Sequence, residues 1–367
     1  MNKYKIAIGI GVAFLIMIFL FLVVYVGNIF ALDNEEKTLE EGHLINYVEV
    51  DEDVKMNYRR FGNPTSGKHI IITISDYDDD VFSVTSEMLT YGLLNGLEVI
   101  AIDRPGYGFS EDTVKEQTID TIIDEYRSAL SKAGFNPPYI LMADGFGSVY
   151  ATYWLMTHED EVEGVIYINP YIIPTPEEIE DKKDSFGPDS SHSNFASVNW
   201  FGFNRIFMNF KDIKPWVGLD EVYAKYAKAL AYKNMYSLSK YSEKKCEYDN
   251  LLKVSKLMKP TEVPKLLMSS ILEDSHEAED YFLYLNNLYK KSGTKEKYRT
   301  DFENIDYYFG QYQKKYKEYK EEVIMPFIDR LGSVRYTNIP GYEKIYLQKP
   351  EDVRTVMKYY LNRYVEN

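Results

Sequence analysis

Cysteine is almost missing from this chain. Cys246 is the single cysteine among 367 residues, so no internal disulfide can form. The chain is therefore not a disulfide-stapled domain, although it fits a secreted protein of a bacterium that does without disulfides. One cysteine does not decide the redox compartment.

Positive charge is also in short supply. The chain has 42 Lys and Arg against 57 Asp and Glu, which gives a net charge of −15. Nucleic acids and anionic lipid headgroups carry charge of the same sign and would be repelled. We therefore expect no nucleic-acid partner.

Histidine is scarce and unevenly placed. The chain has five histidines, and none follows His276. A general base supplied by histidine therefore cannot come from the C-terminal part of the chain.

Long apolar runs are lacking after the N-terminus. The run that could cross a bilayer extends from Ile6 to Leu32, with Lys3 and Lys5 before it and Asp33 after it. At about 1.5 Å per residue it exceeds the ~30 Å hydrocarbon core. A cleaved signal peptide is the alternative, with Ala31 as a weak cleavage position, but such signals have only about 7–15 apolar residues.

The charges that flank this run predict a topology. By the positive-inside rule, lysines before the run and carboxylates after it place the N-terminus in the cytoplasm. We expect a cytoplasmic N-terminus at 1–5, a transmembrane helix at 6–27 and a linker at 28–42. The membrane is then a partner, and the remaining residues form an extracytoplasmic domain of a single-pass cell-membrane protein.

Beyond the linker, strand and helix patterns alternate. Two antiparallel edge strands are predicted at 44–50 and 54–60, and then strands and helices alternate in the order 69–74, 81–95, 97–103, 118–133, 139–143, 148–158 and 162–169. Such alternation indicates a mostly parallel sheet with helices on both faces. Helical patterns at 196–260 interrupt the sheet before strands return at 263–270 and 334–339, and a last helix is predicted at 350–365. The charged helical stretch 298–330 is expected to be a solvated outer face.

Three segments resemble the α/β-hydrolase superfamily, in its group with a helical cap after the sixth strand. They are DRPGYGFS at 103–110, PYILMADGFGSVYA at 138–151 and IPGYEKIYLQKPEDV at 339–353. The resemblance implies an α/β-hydrolase fold with core residues at 43–173 and 261–367 and a helical cap at 174–260.

The nucleophile of that superfamily is lacking. In the G-x-S-x-G frame of the nucleophile elbow, Gly145 takes the serine's place and Gly147 the second glycine's. Moving the frame to Asp144 would put Phe146 where a small residue is needed, and Ser148 lies within the start of the following helix. The resemblance therefore implies a degenerate nucleophile position at Gly145.

The remaining catalytic positions also depart from the family pattern. By spacing to Pro350, Glu343 stands where the resemblance implies the histidine, and Asp274, or else Glu273, stands at the acid position. Ser75-Asp76 replaces the His-Gly that usually ends the third strand. We expect the cleft to be lined by Ser75, Asp76, Asp144, Phe146 and His276.

These positions leave three interpretations open. The first is a pseudoenzyme that binds a small ligand, a peptide or an envelope partner under the cap, without cofactor or metal. The second is an esterase, amidase or peptidase in which His276 or Glu343 acts as base toward water or Ser148. The third is a cation site, since hard cations prefer oxygen ligands and acidic residues cluster on the relevant loops: Asp76, Asp78, Asp79, Asp80, Asp144 and Glu343.

Overall fold

The computed structural model describes most of the chain. The described residues are 2–41, 45–51, 54–62, 69–77, 79, 82–91, 93, 97–188, 230, 233–234, 237–281, 283, 305–342 and 344–364. Glu343, Asp78, Asp80 and much of the predicted cap lie outside them.

The N-terminal segment is one long helix, α1 (Asn2–Glu41). Its stretch Tyr4–Asn34 is long and apolar enough to cross a membrane, a test that a signal sequence also passes. The helix continues to Glu41, within the region predicted to be a linker at 28–42. Residues 35–41 are mostly good helix formers, and Lys37 pairs with Asp33 one turn earlier at 2.7 Å.

The domain is built on an eight-stranded sheet within the described residues. Its order is β1-β2-β4-β3-β5-β6-β7-β8. The pairs β1–β2 and β2–β4 are antiparallel, and all the other neighbouring pairs are parallel. The strands are β1 (Tyr47–Asp51), β2 (Val54–Gly62), β3 (His69–Ile74), β4 (Leu97–Ile102), β5 (Tyr139–Asp144), β6 (Val162–Ile168), β7 (Lys265–Ile271) and β8 (Val334–Pro340).

Helices cover both faces of the sheet, as its apolar strands require. The helices after α1 are α2 (Phe82–Thr90), α3 (Ile119–Lys132), α4 (Gly147–Thr157), α5 (Pro176–Asp181), α6 (Leu238–Lys245), α7 (Glu247–Leu257), α8 (Ile305–Tyr319), α9 (Met325–Leu331), α10 (Ile345–Gln348) and α11 (Pro350–Tyr364). Helices α3, α4, α7 and α9 bury side chains in one core cluster, and α2 and α11 bury theirs in the other. The predicted fold class is confirmed.

The connection from β6 to β7 carries the insertion expected for a cap. Helices α5, α6 and α7 are its described helices, and α7 packs against α4, α5 and α6. The exact division at 173/174 and 260/261 stays a prediction, and the tryptophans predicted in the cap, Trp200 and Trp216, lie outside the described residues.

Candidate functional site

A strand-turn-helix elbow joins β5 to α4. Gly145 takes a positive φ of 50° in this turn, a conformation that glycine adopts without steric cost. Its N–H donates to the Ile168 carbonyl at 3.2 Å, and its own carbonyl accepts from Tyr171 N at 2.9 Å. At Gly147 a Cβ would lie 2.3 Å from the Ile74 carbonyl oxygen, so α4 can approach β3 only because this residue has no side chain.

The side chain of Asp76 fills the space beside the elbow. A Cβ placed on Gly145 would lie 2.2 Å from Asp76 Cγ and 2.4 and 2.5 Å from its two oxygens. A serine at position 145 would therefore collide with this carboxylate. The glycine and the aspartate are complementary in shape.

Asp76 also accepts from the two backbone N–H groups that stand where this fold usually has its oxyanion hole. In this fold the hole consists of the N–H of the residue after the nucleophile and an N–H from the loop after β3. Here those groups belong to Phe146 and Tyr77, which donate to Asp76 Oδ1 at 2.6 and 2.7 Å. Burial raises the pKa of Asp76, while Lys344 and the two N–H groups oppose that rise.

A lysine lies among the carboxylates of the site. Lys344 Nζ pairs with Asp79 Oδ2 and lies 3.9 Å from Asp144 Oδ2, and Tyr346 donates its hydroxyl to Asp79 Oδ2 at 2.7 Å. The side chains of Asp79 and Asp144 are 1% and 3% exposed. Burial raises the pKa of Asp144 well above its usual range, with Lys344 opposing the rise. Burial alone would lower the pKa of Lys344, but the three carboxylates raise it above its ordinary value.

A buried ion pair ties the insertion to the loop that carries Asp76. Arg104 Nε and Nη2 donate to Glu243 of α6 at 3.1 and 3.0 Å, and both side chains are almost fully buried. Arg104 also donates to the backbone carbonyls of Ser75 at 2.9 Å and Asp76 at 3.1 Å. Tyr150 donates its hydroxyl to Glu243. The guanidinium thus fixes the insertion and the oxyanion loop together.

The structure brings together five of the predicted site residues: Ser75, Asp76, Asp144, Gly145 and Phe146.

The predicted acid, Asp274, and the nearby His276 both lie on the surface. Asp274 is exposed and accepts from Glu277 N at 2.8 Å, which makes it the N-terminal cap of the helical residues 275–281. His276 is exposed within that helix. Ser148 is buried and donates to the Tyr171 carbonyl at 3.2 Å. Glu343 lies outside the described residues.

Sequence reasoning missed four members of the site: Arg104 as a clamp, Glu243, Lys344 and Tyr346. Arg104 belongs to the segment DRPGYGFS and Lys344 directly follows Glu343, so both stand in segments that resemble the family. Their partners lie 139 and 265 residues away along the chain, a separation that no local pattern reveals.

The acidic residues predicted as a cation site partly converge. Asp76, Asp79 and Asp144 surround the Lys344 ammonium, which supplies the positive charge. In the described part of the chain, no group of three or more His, Cys, Asp or Glu side chains has an arrangement that could hold a metal ion.

Comparison with known proteins supports the fold at the level of sequence. A family model for the alpha/beta hydrolase fold matches residues 83–257. An uncharacterized Bacillus subtilis protein, YbdG, is 28% identical over 185 residues, which cover 49% of this chain and 56% of that protein. A Schizosaccharomyces pombe protein, C23C11.06c, is 32% identical over 73 residues, which cover 20% of this chain and 14% of that protein. The chain therefore spans about half of the first relative and a small part of the second.

Solved structures agree on the fold. The haloalkane dehalogenase DatA of Agrobacterium tumefaciens C58 has a TM-score of 0.52 at 13% identity, with 88% of this chain and 97% of that one covered. The epoxide hydrolase CorEH has a TM-score of 0.52 at 13% identity, with 87% of this chain and 99% of that one covered. A probable hydrolytic enzyme of Pseudomonas aeruginosa PAO1 has a TM-score of 0.54 at 13% identity, with 86% of this chain and 94% of that one covered. With this sheet order and elbow, the chain is an α/β-hydrolase-fold protein.

Proposed function

We propose that this chain is a membrane-anchored, extracytoplasmic pseudoenzyme that acts by binding a ligand or an envelope partner. One observation carries the proposal: Asp76 accepts hydrogen bonds from both N–H groups of the oxyanion hole and fills the space that a nucleophile at position 145 would need. The elbow is retained as architecture, while the side chain of Asp76 takes up the space and the two N–H donors beside it.

Electrostatics oppose acyl transfer at such a site. An oxyanion hole accelerates the reaction because preorganised donors meet negative charge as it develops. A carboxylate in the hole satisfies those donors beforehand and repels a second negative oxygen. The loss of a triad serine alone costs about 10⁶ in turnover in a serine protease, so the absence of the nucleophile and an occupied hole together leave little hydrolysis to expect.

The anchor and topology belong to the same proposal. The stretch Tyr4–Asn34 of α1 can span a bilayer, and lysines precede it while carboxylates follow. We infer a retained anchor with the hydrolase-fold domain outside the cytoplasm. Protease added to intact cells should digest the domain and leave the N-terminus protected. Release of the domain into the medium would instead indicate a cleaved signal.

Ester hydrolysis by the full chain in detergent tests the catalytic part of the proposal. With p-nitrophenyl esters of short and medium chain length, we expect rates equal to those of buffer with detergent. A rate above this background that disappears in Glu343→Gln or His276→Ala would overturn the proposal in favour of a substitute catalytic set. The exposed Glu116→Gln variant is the matched control.

A further inference from the structure

Two cavities lie at the carboxyl ends of β6, β7 and β8. The larger has a volume of about 400 Å³ and is bounded by the ends of β7 and β8. The smaller, of about 260 Å³, is bounded by the ends of β6 and β7. Tyr312 and Tyr316 of α8 line both cavities, so the two spaces flank one pair of tyrosines. The larger cavity has the size of a small-molecule site, roughly 300–1,000 Å³.

The tyrosines belong to an aromatic row on one face of α8. The rings of Phe309 and Tyr312 stack with centroids 6.3 Å apart and an interplanar angle of 17°, and those of Tyr312 and Tyr316 stack at 5.9 Å and 27°. All three side chains are half-buried, whereas Tyr307 on the opposite face is 63% exposed. Tyr312 and Tyr316 of this row contribute aromatic surface to the lining of both cavities.

Hydrogen bonds hold the polar lining in place. Asn169 adopts a positive φ of 45°, and its Oδ1 accepts from Ser270 N at 3.1 Å and from Ser270 Oγ at 3.0 Å, which fixes the orientation of the amide. Tyr316 donates to Asn338 Oδ1 at 2.8 Å. A non-glycine residue in this backbone region is uncommon, and such residues cluster at functional sites.

The lining carries little charge. Apart from tyrosine, Glu273 is the one ionisable side chain among the described lining residues of the two cavities. The other polar groups are amides and hydroxyls, each of which can donate and accept. Such a lining favours a neutral ligand with many hydroxyl groups over an ion.

We infer that these cavities form a saccharide-binding site on the tyrosine row of α8. The apolar face of a sugar ring packs against the aromatic surface of Tyr312 and Tyr316, and its hydroxyls meet the polar groups that line the two cavities. The inference rests on the proposed binding function and names its ligand class. It gives the retained hydrolase fold an extracytoplasmic ligand at the carboxyl edge of its sheet.

Saturation-transfer NMR and calorimetry on the full chain test this site. The protein is kept in lauryldimethylamine oxide, because this detergent has no sugar headgroup to compete. Chitotriose and maltotriose are the probes, and an uncharged acetylated tripeptide is the comparison ligand. We expect at least one oligosaccharide to bind at about 1 mM or below, and the tripeptide not to bind.

Variants on the two faces of α8 decide the location. Tyr316→Leu should weaken the saccharide about tenfold, and Tyr316→Phe, which retains the ring and the fold, should weaken it less. Tyr307→Leu is the matched control and should change the Kd less than twofold.

Absence of saccharide binding, binding of the tripeptide alone, or equal effects of Tyr307→Leu and Tyr316→Leu would overturn the inference. None of these results would restore hydrolysis, so the proposed loss of catalysis would stand. Ester hydrolysis, in turn, would overturn the pseudoenzyme proposal without removing a saccharide site.

Discussion

Asp76 Oδ1 accepts a hydrogen bond from the Phe146 amide at 2.6 Å. In catalytic proteins of this fold, the corresponding N–H donates to the oxyanion of the reaction. Asp76 Oδ1 also accepts from Tyr77 N at 2.7 Å. Gly145 makes this contact possible, because any Cβ there would meet the carboxylate. The missing nucleophile and the occupied hole are thus one structural feature.

Gly145→Ser should destabilise the protein through its collision with Asp76. We expect the free energy of unfolding to fall by about 2–4 kcal/mol, the sum of overpacking and a strained positive φ. In Asp76→Ala/Gly145→Ser the collision is absent, so the double variant should lose about 1–3 kcal/mol less than the two single losses combined. Urea unfolding of the full chain in detergent measures all three variants.

Gly134→Ser is the matched control for that series. Gly134 also has a positive φ, of 86°, but nothing lies within 4 Å of a Cβ placed there. Its substitution should cost only the backbone strain, about 1–2 kcal/mol. Additive losses at positions 76 and 145 would contradict the contact between them.

Lys344→Met should destabilise the protein most at high pH. The variant leaves Asp76, Asp79 and Asp144 buried without the ammonium, at a cost of about 3–5 kcal/mol. Burial raises the pKa of Asp76 and Asp144, so the folded state takes up protons there as the pH falls. The loss should therefore be smaller at pH 5 than at pH 8. Unfolding curves at the two pH values measure the difference.

Lys349→Met tests whether any lysine loss would behave in this way. Lys349 Nζ lies 3.6 Å from Glu277 Oε1, and the side chains of Lys349 and Glu277 are 41% and 20% exposed. Its removal should cost less than about 1 kcal/mol. An equal loss for Lys344→Met at pH 5 and pH 8 would argue against the carboxylate cluster.

Glu243→Ala should break the clamp between the insertion and the oxyanion loop. Arg104 would keep a buried charge without its carboxylate partner, and we expect a loss of about 3–5 kcal/mol in the free energy of unfolding. The control is Glu180→Ala, because the Lys256–Glu180 pair is 55% exposed on both sides and should contribute less than about 1 kcal/mol. If both variants lost equally little, the buried pair would not hold the insertion in place.

Glu125→Gln should stabilise the protein above neutral pH. Glu125 is 3% exposed, and Lys115 Nζ lies 3.6 Å from its Oε1. Neither of its carboxylate oxygens has a hydrogen-bond partner within the described structure. Burial raises its pKa from 4.5 to about 7, against the opposing effect of Lys115. Because the folded state binds this proton more tightly than the unfolded state, stability is lost as the pH rises from about 4.5 through 7.

The glutamine variant removes that loss. We expect a gain on the order of 2–3 kcal/mol at pH 8 and almost none at pH 4.5. Glu116→Gln, an exposed neighbour, should change the unfolding free energy little at either pH. A pH-independent difference between wild type and Glu125→Gln would contradict the raised pKa.

The sequence predicts the fold because each parallel strand and its helix leave a local pattern. Strand β3 and the turn after β5 follow from apolar runs and from Gly145 and Gly147 alone. The occupant of the oxyanion hole does not follow, since Asp76 meets Phe146 only once β3 and β5 are paired. The departure of Ser75-Asp76 from the usual His-Gly was visible, but its consequence depends on where one side chain points.

The C-terminal part of the site shows a similar limit. Spacing predicts Glu343 in the histidine's position, and this stays a prediction because Glu343 lies outside the described residues. Its neighbour Lys344 is the residue that the structure places against Asp79 and Asp144. The contacts of Lys344 do not follow from spacing, because Asp79 lies 265 residues away along the chain. For α8, dense charge predicts a solvated face. The aromatic face formed by Phe309, Tyr312 and Tyr316, which extends over about two turns, was not predicted from the sequence.

Fluorophosphonate labelling of the full chain, followed by intact-mass measurement, tests the central claim most directly. The reagent bonds to an activated serine whose oxyanion hole can receive the phosphonyl oxygen. With Gly145 at the elbow and Asp76 in the hole, the account predicts that the mass stays unchanged. Stoichiometric labelling at any serine, with a histidine found beside it, would contradict it.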